Sequence, residues 1–260
     1  MASAAPPAFA VHNPEGRRPV VLICDHASNL IPRELGTLGL SDEQRGLHIA
    51  YDIGAAMVAR KMADALDAPL VTSGYSRLVI DCNRPPTSPT SIPVSSGGID
   101  VPRNASLSDT ERRARRELYF DPYHDAISAM LDARAGLREG RGPVLLSIHS
   151  FTPELLGSKR PWPVALLYGR DARLAHAFRD ELARDASLLV GDNEPYRVTD
   201  ASDHSIPVHG ERRGSLHTAF EIRQDGIATE AGAAAWADRL VSAFHALDLA
   251  ALDAVGTTPA

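Results

Sequence analysis

The chain has 260 residues, 44% hydrophobic and 23% charged, enough to bury one sizeable core, and is read as a single domain. A net charge of -6, with Lys and Arg scattered, leaves no basic stripe for a phosphate backbone, so nucleic acid is not expected as a partner. No apolar run approaches the ~18 residues of a membrane span, and Met1-Ala-Ser-Ala-Ala-Pro-Pro lacks a positive region ahead of an apolar one, so a soluble, cytoplasmic protein is expected. Cys24 and Cys82 each adjoin an Asp inside an expected strand, where cysteine acts as a small buried apolar residue and not as part of a disulfide framework.

Residues 1–16 are rich in Ala and Pro without a period and read as a loose arm. An apolar strand is expected over 19–24, followed by a short polar loop that carries His26 and stops at Pro32. Ser41-Asp42-Glu43 then opens an amphipathic helix to about residue 66, which sets His48 and Asp52 one turn apart on one face. That pair is either a surface ion pair or part of a site. Strands are expected over 69–73 and 77–81. The second runs into Asp81-Cys82-Asn83-Arg84-Pro85-Pro86, where an arginine held by an asparagine and two prolines is either a rigid carboxylate clamp or a plain surface residue. Residues 87–106, full of Pro, Ser and Gly, form a long loop of the kind that is a lid or disordered.

Ser108 caps a helix that runs to Phe120 and is interrupted or kinked at Asp121-Pro122, with a second piece from residue 123 to 136. Tyr123 and His124 at that break read as a core tyrosine and a satisfied histidine, with a place facing the site as the other reading. The run Val144-Leu145-Leu146-Ser147-Ile148-His149 is a buried strand that delivers a histidine to the sheet edge. A strand over 164–169, a helix over 172–184 and a short strand over 188–190 follow. Residues 197–215, polar and irregular with His204 and His209, are a second lid or an ordinary exposed loop. A strand over 218–223 carries Glu221, a helix over 229–247 closes the domain, and 251–260 is a tail. Strands alternating with helices give an α/β fold with a mostly parallel sheet covered on both faces. Ligands of such folds collect beyond the carboxyl ends of the strands, so His26, His149 and Glu221 converging there suggest a metal and a base, the other reading being that each is a solvated strand-terminal residue.

Five segments carry a resemblance: Cys24-Asp25-His26-Ala27-Ser28-Asn29, His48-Ile49-Ala50-Tyr51-Asp52-Ile53-Gly54-Ala55, Ser76-Arg77-Leu78-Val79-Ile80-Asp81-Cys82-Asn83-Arg84-Pro85, Pro122-Tyr123-His124 and Glu221-Ile222-Arg223-Gln224-Asp225. Together, over residues 19–247, they resemble the N-formylglutamate amidohydrolase family. That family is similar in fold to zinc carboxypeptidases, which implies a single domain of zinc-exopeptidase type over 17–250, with a mixed central sheet and one Zn²⁺ at the strand ends. The resemblance implies that Ser147-Ile148-His149 bears the later zinc histidine, that Asp81-Cys82-Asn83-Arg84 is the substrate-carboxylate clamp, and that Glu221 is the general base. Carboxypeptidases place a glutamate ligand three residues after the first histidine, and Asn29 stands there. Asp52 or Asp25 then supplies the third ligand, or the metal is weakly held; the set taken forward is His26, Asp52 and His149. Asn83, Arg84, Arg77, Asn29 and His209 are the expected substrate contacts. The implied reaction is hydrolysis of an N-acyl amino acid, most simply N-formyl-L-glutamate. A metallocarboxypeptidase acting on short peptides and a binding domain that has kept the fold without catalysis are the alternatives. No residue is assigned to stabilise the oxyanion.

Overall fold

Eleven strands appear among the described residues, 6–138 and 141–255, of the computed structural model. They are β1 (Phe9–His12), β2 (Val20–Cys24), β3 (Leu70–Ser73), β4 (Ser95–Ser96), β5 (Ile99–Asp100), β6 (Val144–Phe151), β7 (Glu154–Leu155), β8 (Ser158–Lys159), β9 (Val164–Leu167), β10 (Val190–Asp192) and β11 (His217–Arg223). Seven of them form one sheet in the order β1-β3-β2-β6-β11-β9-β10, while β4 with β5 and β7 with β8 make two small hairpins. Strands β3, β2, β6 and β11 are parallel neighbours; β9 turns antiparallel to β11, and β1 pairs antiparallel with β3. This is the mostly parallel mixed sheet the sequence implied.

The helices are α1 (Asp42–Arg45), α2 (Ala55–Leu66), α3 (Asp109–Arg115), α4 (Asp121–Asp132), α5 (Arg173–Leu182), α6 (Glu230–Ala246) and α7 (Leu249–Ala254). Side chains alternate across a strand, so each strand divides its residues between the two faces. Val20, Leu22, Cys24, Leu146, Ile148, Phe220 and Ile222 point to the face covered by α2, α5 and α6, where Met62, Leu66, Phe178 and Leu240 complete the main core. Each such side chain contributes about 2 kcal/mol by burial, so this face holds most of the apolar stabilisation. The opposite face has a smaller core of Val21, Ile23, Leu145 and Ala219 against Tyr123, Ile127 and Leu131 of α4. Its strand positions nearest the carboxyl ends are where polar residues stand.

Several expectations change. The helix expected to start at residue 41 or 42 and run to 66 is two: α1 ends at Arg45 after a Ser41–Gln44 capping box, and α2 starts only at Ala55. Between them the chain leaves the helix because Gly54 takes φ +83° and the Asp52 N–H donates to the His26 carbonyl at 3.0 Å. His48 and Asp52 therefore do not share a helix face. The strand expected over 77–81 is a run of turns, because Ser76 Oγ accepts from the Leu78 N–H at 3.1 Å and donates to the Ala50 carbonyl at 2.7 Å, satisfying the backbone locally. Its apolar residues Leu78, Val79 and Ile80 join a third cluster with Leu38, Ile49 and Phe120.

Phe9–His12, inside the expected loose arm, is an edge strand, and Arg134 ties the following turn by donating to the Pro14 and Gly16 carbonyls. The break at Asp121-Pro122 takes the form of a π-turn over Arg116–Phe120 leading into α4, whose first turn tolerates the missing proline N–H. Within the expected lid over 197–215, Ser205, Ile206, Pro207, His209 and Gly210 are buried, so that part is wall. Part of the expected tail lies in α7; residues 1–5 and 256–260 lie outside the described residues.

Gly54 has no room for a side chain, because a Cβ there would overlap the Ile227 carbonyl. Gly54→Ala is expected to lower the melting temperature, with a cost of about 1–3 kcal/mol from the left-handed backbone and the overlap together. Thermal unfolding of variant and wild type checks this; an unchanged midpoint would mean that the 46–54 segment relaxes freely.

Candidate active site

Three strand ends and one turn bring the polar residues together. Asp25 and His26 directly follow β2, while Ser147 and His149 on β6 point to the smaller face. The parallel register sets Glu221 of β11 directly beside His149. Asp52 arrives from the 46–54 turns, pinned through its N–H to His26.

His26 Nδ1 lies 3.2 Å and His149 Nδ1 2.8 Å from the same oxygen, Asp52 Oδ2. All three side chains are buried, and one donor atom from each lies within 4.8 Å of the others. The far nitrogen of each ring faces another carboxylate. His26 Nε2 is 2.7 Å from Asp81 Oδ1, and His149 Nε2 is 3.1 Å from Asp25 Oδ2 and 3.0 Å from Ser147 Oγ. A carboxylate behind a histidine holds the proton on that nitrogen and leaves the other lone pair for a metal. Two imidazole nitrogens and one carboxylate oxygen, buried and convergent, fit a divalent ion of the zinc type with a position left open.

Asp25 does not suit the part of third ligand as well as Asp52. Its Oδ1 accepts from Tyr123 Oη at 2.9 Å and Ser205 Oγ at 2.6 Å, while its Oδ2 faces His149 and Ser147. Burial alone would raise both carboxyls, but hydrogen bonding and charge from the two histidines hold Asp25 and Asp52 well below the usual carboxylate range.

Glu221 is 8% exposed, and its Oε2 finds no hydrogen-bond partner among the described residues. Burial pushes its carboxyl up to about 7, against the pull of His149, His26 and Arg77. Arg223, the obvious neighbour for a buried ion pair, instead donates to Asp225 at 2.8 Å. Glu221, the two histidines and Asp52 open onto one cavity of about 490 Å³, whose wall also includes His48, Arg77, Asn83, Arg84, Phe151 and Tyr196.

The expected substrate contacts divide. Arg84 reaches the cavity, with Nη1 donating to the Ser202 carbonyl and lying 3.7 Å from Asp203. Asn83 also lines it but is engaged in holding the 203–205 backbone, accepting from the N–H groups of His204 and Ser205 at 3.2 and 3.0 Å. Arg77 spends Nε and Nη2 on Asp81, at 3.0 and 2.6 Å, so it braces the carboxylate behind His26. Asn29 is not in the wall; it donates to the Arg45 carbonyl at 3.1 Å. His209 is also absent from the wall, buried against His124 at 2.9 Å, and burial pushes its imidazole down to about 4. Tyr123 is a core residue whose hydroxyl serves Asp25. The sequence reading missed Asp81 and Asp25 as partners of the histidines, although each stands inside a quoted segment and Asp25 was weighed as a ligand.

These features define an α/β enzyme with a candidate metal centre and an adjacent unpartnered carboxyl at its strand ends. The product of gene Atu2144 from Agrobacterium tumefaciens is 40% identical, with 92% of this chain and 94% of that one covered and a TM-score of 0.87. The N-formylglutamate amidohydrolase of Ralstonia eutropha JMP134, 20% identical over 90% of this chain and 94% of its own, shares the fold with a TM-score of 0.63. No curated protein matches the chain. The family model for N-formylglutamate amidohydrolase matches residues 18–228, and the chain belongs to that family: it is a hydrolase acting on linear amides.

Proposed function

We propose that the protein is a metal-dependent amidohydrolase of N-acyl amino acids, acting most simply on N-formyl-L-glutamate to give formate and L-glutamate. The observation that carries this reading is the meeting of His26 Nδ1, His149 Nδ1 and Asp52 Oδ2 beside Glu221, whose Oε2 has no partner among the described residues. His26, Asp52 and His149 would hold one Zn²⁺, which when bound supplies Lewis acidity toward the amide carbonyl. Glu221 takes a proton from the attacking water and delivers it to the departing nitrogen as the C–O bond forms and the C–N bond breaks. Arg84 holds the α-carboxylate of the substrate, on a loop that Asn83 fixes. Asp25 and Asp81 keep the two imidazoles oriented. The Ralstonia enzyme bears the name of this activity, and the family match supports bringing it to this chain.

No helix among the described residues is long and apolar enough to cross a membrane, and the buried free thiols Cys24 and Cys82 suit a reducing cytoplasm, where we place the protein. Metal analysis of the purified protein, paired with formate release over a panel of N-formyl amino acids, tests the reading. Metal-free protein with full activity, or metal-loaded protein that releases no formate from any of the panel, would overturn it. Arg84→Lys keeps the charge and loses the bidentate fork, so kcat/KM is expected to fall about 10-fold or more with the fold intact. The preference for a free α-carboxylate over its amide should shrink in parallel. An undiminished preference removes Arg84 from the substrate.

A further inference from the structure

The β7–β8 hairpin follows β6, the strand that carries His149, after Thr152 and Pro153. The Arg160 N–H donates to the Pro153 carbonyl at 2.9 Å and closes its base. Leu155 pairs with Ser158, which leaves Leu156 and Gly157 as a two-residue turn, and both take positive φ, +49° and +82°, as a type I′ turn requires. The hairpin pairs with no further strand among the described residues, and all of it but Leu155 is exposed. Its tip nevertheless belongs to the site: Leu155 and Leu156 line the cavity that holds Glu221 and the two histidines.

A lone exposed leucine is ordinary on a protein surface. Leu156 departs from that in exposure and in backbone. It is 88% exposed, more than any other large apolar side chain among the described residues. It also holds the first central position of the turn, where a left-handed backbone favours Asn, Asp or Gly and strains a bulky side chain. Solvation and backbone thus both act against leucine at this position, and strain kept beside a site points to a use there. Ile49, Phe151, Tyr196 and Val198 add further apolar wall to the same cavity. Its volume of about 490 Å³ falls in the range of ~300–1,000 Å³ that takes whole organic ligands, whereas a formyl group adds only a CHO unit to the amino acid.

We propose that the β7–β8 tip, through Leu155 and Leu156, covers an apolar acyl group several carbons long, so that the amides cleaved best are N-alkanoyl amino acids. The inference rests on the amidohydrolase reading and deepens it at the acyl group; hydrolysis then releases an alkanoate and the free amino acid. N-formyl-, N-acetyl-, N-butyryl- and N-octanoyl-L-glutamate are compared on the metal-loaded protein by release of the free amine. Octanoate and acetate, which carry no amide, are titrated into the same protein calorimetrically. From formyl to octanoyl kcat/KM is expected to rise at least about 10-fold, and octanoate to bind at least about 10-fold more tightly than acetate. Leu156→Asn supplies a residue the turn prefers, so the melting temperature should hold or rise while both ratios fall by about 5-fold or more. Leu156→Gly, which also suits the turn, is the second variant. Formyl as the best acyl group, equal binding of the two carboxylates, or ratios that survive either substitution in full would overturn the subsite. No amine release from any of the four amides, with the octanoate preference present in wild type and lost in the variants, would instead count against the amidohydrolase reading alone.

Discussion

Glu221→Gln is expected to lower formate release by about 10²–10⁴-fold while metal content stays near that of wild type. The carboxyl is buried in the cavity wall beside His149 with Oε2 unpartnered, and Arg223 is engaged with Asp225. Glutamine preserves the shape and removes the proton acceptor, so a base loses its work and a packing residue does not. The same substitution has a second readout. With the folded-state value raised from 4.5 to about 7, the metal-free native state keeps a proton that the unfolded chain releases, so stability falls as pH rises through that window. Glutamine should flatten that part of the slope. Denaturant unfolding of chelator-treated protein across this range, with turnover on the untreated preparation, checks both; turnover within a few-fold of wild type ends the base assignment.

His26→Ala and His149→Ala are each expected to remove most bound zinc, and Asp52→Ala to do nearly the same. Asp25→Ala should be milder, because Asp25 faces the far side of His149, and partners in that position typically contribute 10–100-fold in affinity. Competition with a chelator of known affinity ranks the four proteins. Full zinc in Asp52→Ala together with loss in Asp25→Ala would exchange their roles.

What could be read from the sequence was the position of groups whose place depends on strand ends. His26, His149 and Glu221 stand at or just after apolar runs, and an apolar run that stops at a polar residue marks its own terminus. Asp52 was expected on a helix face it does not occupy; Gly54 and the bond from Asp52 N–H to the His26 carbonyl put it in a turn. Asn29 and His209 were misplaced because side-chain direction in a loop is set by packing partners far away in sequence, here Arg45 and His124. The bond between His26 and Asp81 is of the same kind.

The alternation along β2, β6 and β11 has a consequence for how this protein can change. The sheet acts as a partition, with the main apolar core behind it and Asp25, His149 and Glu221 on the other side. Replacing a chemical group on that side opens no hole in the α2–α5–α6 layer. Substitutions at Asp25, His149 or Glu221 are therefore felt first in the site and in the smaller core beside it, while the larger layer keeps its packing.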